Sequence, residues 1–186
     1  MSDNLQDVTI GNQQETDIAW LAGIIDGEGS FTVTKNKYAP DKPPSVKAAL
    51  TIPNTDERII LKSVQILERF EVSFYISDHA AKNTRKRYWV VAVSKLSDLM
   101  RLTERLIPHL SGKKEQALLL HRYTSLRQTG PWIDKGINPV TRKHQMGRRP
   151  LACEEWDLVN KIYQENGKGS STTTREAAEQ LSKYVQ

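Results

Sequence analysis

Asp26 and Glu28 are two carboxylates placed where a helix has least use for them. They close the stretch LAGIIDGEG, residues 21–29, an apolar helical run that ends in acids and glycines. A helix C-terminus carries partial negative charge and disfavours a nearby carboxylate by about 0.3–1 kcal/mol, and one glycine is enough to stop it. Something cationic is therefore expected beside Glu28. Ala19, Gly23 and Gly27 stand four residues apart, so they line one helix face and let another backbone come close. Two readings fit that face: tight packing against the chain's own core, or helix against helix across a two-fold axis. In the second, both copies of Glu28 meet at the foot of the seam. Two neighbouring carboxylates stay ionised only with a cation between them. A hard divalent ion, Mg²⁺ or Mn²⁺, suits such oxygen ligands, with Glu28 and Gly27 as the metal-site candidates.

Other chemistries find less support. The four histidines, His79, His109, His121 and His144, have no zinc-ligand spacing, and no serine or cysteine constellation suggests nucleophilic catalysis. Cys153 is the only cysteine, which excludes an internal disulfide and reads as a small buried apolar residue. Net charge is +5, and the positive charge is clustered: Lys82, Arg85, Lys86 and Arg87 in one block, Arg142, Lys143, Arg148 and Arg149 in another. Such blocks point to a polyanionic partner. No run of about 18 apolar residues spans a membrane, and residues 1–17, with no basic n-region or apolar h-region, read as neither a signal nor a transit peptide. An intracellular protein is expected, in a bacterial or phage-host cytoplasm or an organelle.

The elements that must position these residues follow a repeated phrase. Residues 1–15 read as a flexible segment, and 16–186 as one domain. Thr16 caps a helix over 17–27. Phe31 and Val33 alternate with Thr32 and Thr34, and Val46, Ala48, Leu50 and Ile52 share one face of a second strand. Asn54-Thr55-Asp56 starts a helix with Ile60, Val64 and Leu67 at helical spacing. Val72, Phe74 and Ile76, then Trp89, Val91 and Val93, repeat the strand pair around a basic tip at 80–86. Helices follow over 97–106 and 113–126. Residues 127–150 have no clear periodicity and read as a basic loop in which Trp132, Ile133 and Ile137 hint at docking. A helix over 151–164 carries Trp156, Val159, Ile162 and Tyr163 on one side, and a capping box at Thr173 and Glu176 opens a last one. The class is α+β: a four-stranded antiparallel sheet with helices on one face.

LAGIIDGEG also resembles the signature of the LAGLIDADG homing endonucleases, and the αββαββα phrase agrees with that family over about residues 16–126. The resemblance implies a sheet that forms a saddle on the DNA major groove. A single motif implies a homodimer on a roughly palindromic double-stranded site. It implies cleavage by metal-dependent phosphodiester hydrolysis, which spreads an intron or intein. Glu28 falls on the metal-binding acid, and Asp26 on the acid that braces the helix end and the dimer seam, beside Ala19, Gly23 and Gly27. IPNTDERI resembles the segment that positions the attacking water and a nearby cation, which fall on Asn54 and Arg58; a plain helix cap describes Asn54 equally well. PHLSGKKEQA resembles the segment carrying the active-site lysine, which falls on Lys113, with Lys114 the neighbouring possibility.

DNA readers are expected on the outward strand faces. They are Thr32, Thr34, Lys35, Asn36, Lys37, Tyr38 and Lys47 in the first hairpin, and Tyr75, Ser77, His79, Lys82, Arg85, Lys86, Arg87 and Tyr88 in the second. Arg142, Lys143, Arg148, Arg149 and Lys168 suit phosphate contacts. Two rivals come from other classes: an RNA maturase that assists splicing, and a non-cleaving DNA-binding regulator on the same scaffold.

Overall fold

The computed structural model describes residues 3–36, 45–81, 86–137 and 141–167, with side chains from Asn12 onward except at Asn36. The first helix, α1, runs Asp3–Glu28. It does not open at Thr16 as the capping reading expected. Thr16 sits inside the helix, and its hydroxyl donates to the Asn12 carbonyl at 2.8 Å. Asp17, next in line, is buried and paired with Arg69, and it accepts from the Gln13 side chain at 3.0 Å. A local capping signal thus yields to a tertiary ion pair.

Two strand pairs follow: β1 (Ser30–Asn36) with β2 (Ser45–Asn54), then β3 (Tyr75–His79) with β4 (Tyr88–Val93). Between them lies α2 (Glu57–Arg69), and after them α3 (Leu96–Leu106), a short 3-10 turn (Ile107–His109) and α4 (Lys114–Thr129). The sheet order is β1-β2-β4-β3, with every neighbouring pair antiparallel. The register puts Phe31 opposite Leu50, Val33 opposite Ala48 and Ile52 opposite Val91, so one side chain in two points at the helices. That layer meets Leu21, Ala22 and Ile25 of α1, Ile60 and Leu67 of α2, Leu99 and Leu102 of α3, and Leu120 of α4. Each fully buried Leu or Ile in such a core contributes about 1.5–3 kcal/mol. The expected α+β architecture is the observed one. Among the described residues, no helix is long and apolar enough to cross a membrane.

The alternation of Val72, Phe74 and Ile76 predicted a strand from Val72, but the ladder begins at Tyr75. The amide of Val72 is already engaged: it donates to Leu67 O at 2.9 Å, while Glu71 donates to Glu68 O at 2.9 Å. With Glu71 at φ 53°, this is a Schellman stop for α2, formed without glycine. Asp98 of α3 takes the next amide, Ser73 N–H, at 2.9 Å.

Residues 127–150 are not a structureless loop. They extend α4 and then form a hairpin, β5 (Trp132–Ile137) with β6 (His144–Arg148), before α5 (Cys153–Gly167). The sequence hides this hairpin because both its faces are largely exposed, so no apolar alternation marks it. A register irregularity between Asp134 and Ile137, with Gly136 at φ 76°, breaks the period further. Trp132, Ile133 and Ile137, expected to dock, are exposed. Cys153, expected to be buried, is exposed as the first residue of α5. Trp156, Val159 and Ile162 are buried as the helical pattern required. The capping box at Thr173 and Glu176 lies outside the described residues.

Candidate nucleic-acid interface and cleavage centre

At the end of α1 the two acids part company. Asp26 points at the N-terminus of α4, where it accepts from Ser111 N–H at 2.7 Å, Gly112 N–H at 3.2 Å and Lys113 N–H at 2.9 Å. The residue preceding α4, Lys113, has no side-chain cap of its own, so Asp26 supplies one from 85 or more positions away. Partial burial pulls its carboxyl upward, but the three amides and the Lys113 ammonium outweigh that and hold it below the ordinary carboxylate range. Lys113 returns the favour. Its Nζ donates to Ile25 O and Asp26 O, each at 2.9 Å, and so places a cation on the negative end of α1. Burial pushes the Lys113 ammonium below its usual pKa, against the opposing pull of Asp26 and Glu28. The cation expected at this helix end is therefore, in part, Lys113. Gly29 closes the turn: its N–H donates to Ile25 O at 2.9 Å, and a Cβ there would lie 2.8 Å from Ile25 Cα.

Glu28 is exposed, and among the described residues it makes no hydrogen bond or ion pair. It lines an open cleft with Pro53, Asn54, Thr55 and Tyr88. Glu28 and Asn54 thus line one cleft. Thr55 and Pro53 join them unforeseen, because only the fold carries the end of β2 to the end of α1. Asn54 is not the cap of α2. Its Oδ1 accepts from Asp56 N–H at 2.8 Å, and Asp56 caps the helix by accepting from Arg58 N–H at 2.9 Å. Arg58 does not line the cleft; its guanidinium is exposed and forks onto Asp56 at 3.1 and 2.7 Å. Lys113 does not line it either.

Ala19, Gly23 and Gly27 are all exposed, on a helix whose other side buries Ile18, Leu21, Ala22 and Ile25. A Cβ at Gly23 or Gly27 would meet nothing within 4 Å. The small-residue face is not packed into the chain's own core.

The outward face of the sheet carries Thr32, Thr34 and Lys47 from the first pair of strands and Tyr75, Ser77, His79 and Tyr88 from the second. His79 stacks on Tyr88 with centroids 4.6 Å apart, and Lys47 sits 5.3 Å over the Tyr75 ring. Register removes two expected readers from this face. Lys35 pairs with Val46 on the helix side, and Arg87, one before Tyr88, lies 5.2 Å over Trp89 and bonds Asp78, both on that side. Asn36 pairs with Ser45, and Lys86 is exposed at the foot of β4. Lys37, Tyr38, Lys82, Arg85 and Lys168 lie outside the described residues.

The second basic block also divides. Arg142 and Lys143 are exposed. Arg148 instead donates to Arg127 O and to Gln128 Oε1 at 3.1 Å, and Arg149 donates to Glu155 at 2.7 Å. Glu155 is fully buried and also receives Arg127 at 3.4 Å and Ala152 N–H at 2.7 Å. These arginines fasten the hairpin to α4 and α5. Nothing in the basic run distinguishes a tether from a surface cation, because the buried Glu155 that claims Arg149 comes from the next helix.

Among the described residues no three His, Cys, Asp or Glu side chains converge. With Asp26 committed to α4, one chain offers one open carboxylate, Glu28, to a hard cation. That donor set fits Mg²⁺, which typically takes one or two carboxylates and fills its shell with water and phosphate oxygens.

The comparisons with known proteins agree with this geometry. Residues 15–106 match the LAGLIDADG-like domain family. No curated protein matches the sequence significantly. Among solved structures, the homing endonuclease I-CvuI, in complex with the I-CreI target, aligns at TM-score 0.58 and 20% identity, covering 91% of this chain and 97% of that one. The archaeal intron-encoded homing endonuclease I-Vdi141I, complexed with DNA, aligns at 0.57 and 15%, covering 89% and 96%. The homing endonuclease I-TnaI aligns at 0.55 and 15%, covering 91% and 97%. The motif in α1, the duplicated αββ phrase and the sheet order β1-β2-β4-β3 make this chain a member of the LAGLIDADG-like family, with its matching domain at residues 15–106.

Proposed function

We propose that the protein is a site-specific double-strand DNA endonuclease that works as a homodimer and uses a divalent metal. The observation that carries this reading is the bare face of α1. Ala19, Gly23 and Gly27 are open where Ile18, Leu21, Ala22 and Ile25 of the same helix are buried, and they lead straight to Glu28, which makes no hydrogen bond or ion pair among the described residues. A second copy set against that face across a two-fold axis would close the seam and bring two Glu28 carboxylates together. The solved relatives I-CvuI and I-Vdi141I are described in complex with DNA, and the outward sheet face here carries the Thr, Lys, Tyr and His types that serve base and phosphate contact.

Glu28 from each copy would hold Mg²⁺ or Mn²⁺, and the bound ion supplies activation of water and neutralisation of phosphate charge. The chain's own residues do the rest. Asn54, on the same cleft, offers an amide to orient a water beside the scissile phosphate. Lys113 positions the end of α1 and lends positive field at Glu28. Arg58 would leave its exposed, solvent-screened pairing with Asp56 to reach phosphate. Two such centres cut the two strands. Mobility of a host intron or intein is the biological use this chemistry serves.

Selecting cleaved sites from a randomised duplex library with Mg²⁺ identifies the substrate. On a selected site, Glu28→Gln is expected to lower cutting by at least about 10³-fold while duplex affinity stays within about twofold. Full cutting by that variant would remove Glu28 from the centre. A wild type that binds duplex DNA but cleaves no library member would instead describe a regulator.

A further inference from the structure

One wall of the Glu28 cleft has no role in the centre proposed above: Tyr88. Among the described residues the cleft is lined by Glu28, Pro53, Asn54, Thr55 and Tyr88, and none of these is a cation. A phosphate entering beside Glu28 meets a like charge, so its oxygens need donors close by. Asn54 has committed its Oδ1 to Asp56 N–H at 2.8 Å, which leaves Nδ2 as its donor. Arg58 is turned to Asp56, and Lys113 to the last carbonyls of α1. Tyr88 brings a phenol to the cleft, a group that donates without adding charge.

The sheet fixes where that phenol stands. Tyr88 is the first residue of β4 and pairs with His79, the last of β3, on the outward side. Val90, the next residue of β4 on that side, pairs with Pro53 of the cleft. The Tyr88 and His79 rings are stacked, with centroids 4.6 Å apart and planes 6° from parallel. His79 is held in turn by Ser77, whose Oγ lies 3.1 Å from its Nε2. A ring backed in this way presents its hydroxyl with little freedom left to lose, and a fixed donor is the kind that counts toward a transition state.

We infer that Tyr88 is a catalytic residue of this centre: its hydroxyl donates to a non-bridging oxygen of the scissile phosphate, and His79 is the positioning residue that holds the ring. This role rests on the endonuclease reading above and deepens it by one uncharged donor.

Single-turnover cleavage of a selected duplex tests it, with affinity measured separately by anisotropy in metal-free buffer. Tyr88→Phe keeps the ring and its stack on His79 and removes only the hydroxyl. It is expected to slow cleavage at least about 10-fold while affinity stays within about twofold. His79→Ala should slow the wild type at least about threefold yet leave the rate of Tyr88→Phe nearly unchanged, since a loosened ring without a hydroxyl has no bond to misplace. If Tyr88→Phe cuts at the wild-type rate, or loses no more rate than affinity, Tyr88 is a plain DNA contact and the catalytic role falls. Equal slowing by His79→Ala in both backgrounds overturns the positioning role of His79. A wild type that binds duplex DNA but cuts none overturns the endonuclease reading as well.

Discussion

Two residues apart in one motif, Asp26 and Glu28 do opposite work. Asp26 is spent on three amides at the head of α4, while Glu28 makes no hydrogen bond or ion pair among the described residues and faces an open cleft. The sequence made both acids conspicuous for the same reason, their place at the wrong end of a helix dipole. It could not separate them, because the amides that claim Asp26 arrive from residues 111–113. Stability measurements can. Asp26→Ala should cost about 2 kcal/mol, since it strips a charged cap and leaves amides at a helix head unpaired. Glu28→Ala should change stability by no more than about 0.5 kcal/mol, and in the stabilising direction, because its carboxylate opposes the α1 dipole. Urea midpoints at constant slope read both. Equal losses in the two variants would mean that Glu28, too, is a structural acid.

Among the elements, those with a buried face were legible and those without one were not. Strands β1, β2 and β4 show period-two alternation because one side meets the helices; β3 is exposed along its length, and the β5–β6 hairpin, which has no buried side either, passed for a loop. Boundaries slipped where backbone or side chain was already engaged: the Val72 amide closes the α2 stop on Leu67 O, and the Thr16 hydroxyl bonds Asn12 O inside α1. At the next amide, Ser73 N–H, the claimant is a distant group, Asp98. Buried on α3, it accepts Ser73 N–H at 2.9 Å and Arg101 at 3.0 Å, with Lys95 at 3.5 Å. Burial pushes its carboxyl up, but the Ser73 and Arg101 hydrogen bonds and the Lys95 charge win and bring it from 3.8 down to about 2. A carboxyl depressed on folding stabilises the protein above its unfolded pKa and ceases to do so as pH falls through the folded one. The contribution, about 2.5 kcal/mol at neutral pH, is therefore expected to drain away between pH about 4 and about 2. Chemical denaturation of wild type and Asp98→Asn across that window should give curves that converge as pH falls. Parallel curves would show that the Asp98 carboxylate carries no charge-dependent stability.

At the scale of the whole molecule, the bare face of α1 separates folding from assembly. Gly23 sits mid-helix on an exposed face, and a Cβ added there meets nothing within 4 Å among the described residues. Leucine is the better helix former by about 0.8 kcal/mol, which should make Gly23→Leu at least as well folded as the parent. Between two copies the same side chain would have to fit where backbones approach, and overpacking there costs about 1–3 kcal/mol for each copy. Paired across a two-fold axis, that is enough to raise a dimer dissociation constant by roughly 30-fold or more. Sedimentation at micromolar concentration is thus expected to show a wild-type dimer and a Gly23→Leu monomer with native circular dichroism. Gly23→Ala should fall between them. Duplex cutting by the leucine variant should fall with its dimer fraction, because each half-centre brings only one open carboxylate. An undiminished Gly23→Leu dimer would move the interface elsewhere on the molecule, and with it the reason for Glu28 to stand alone.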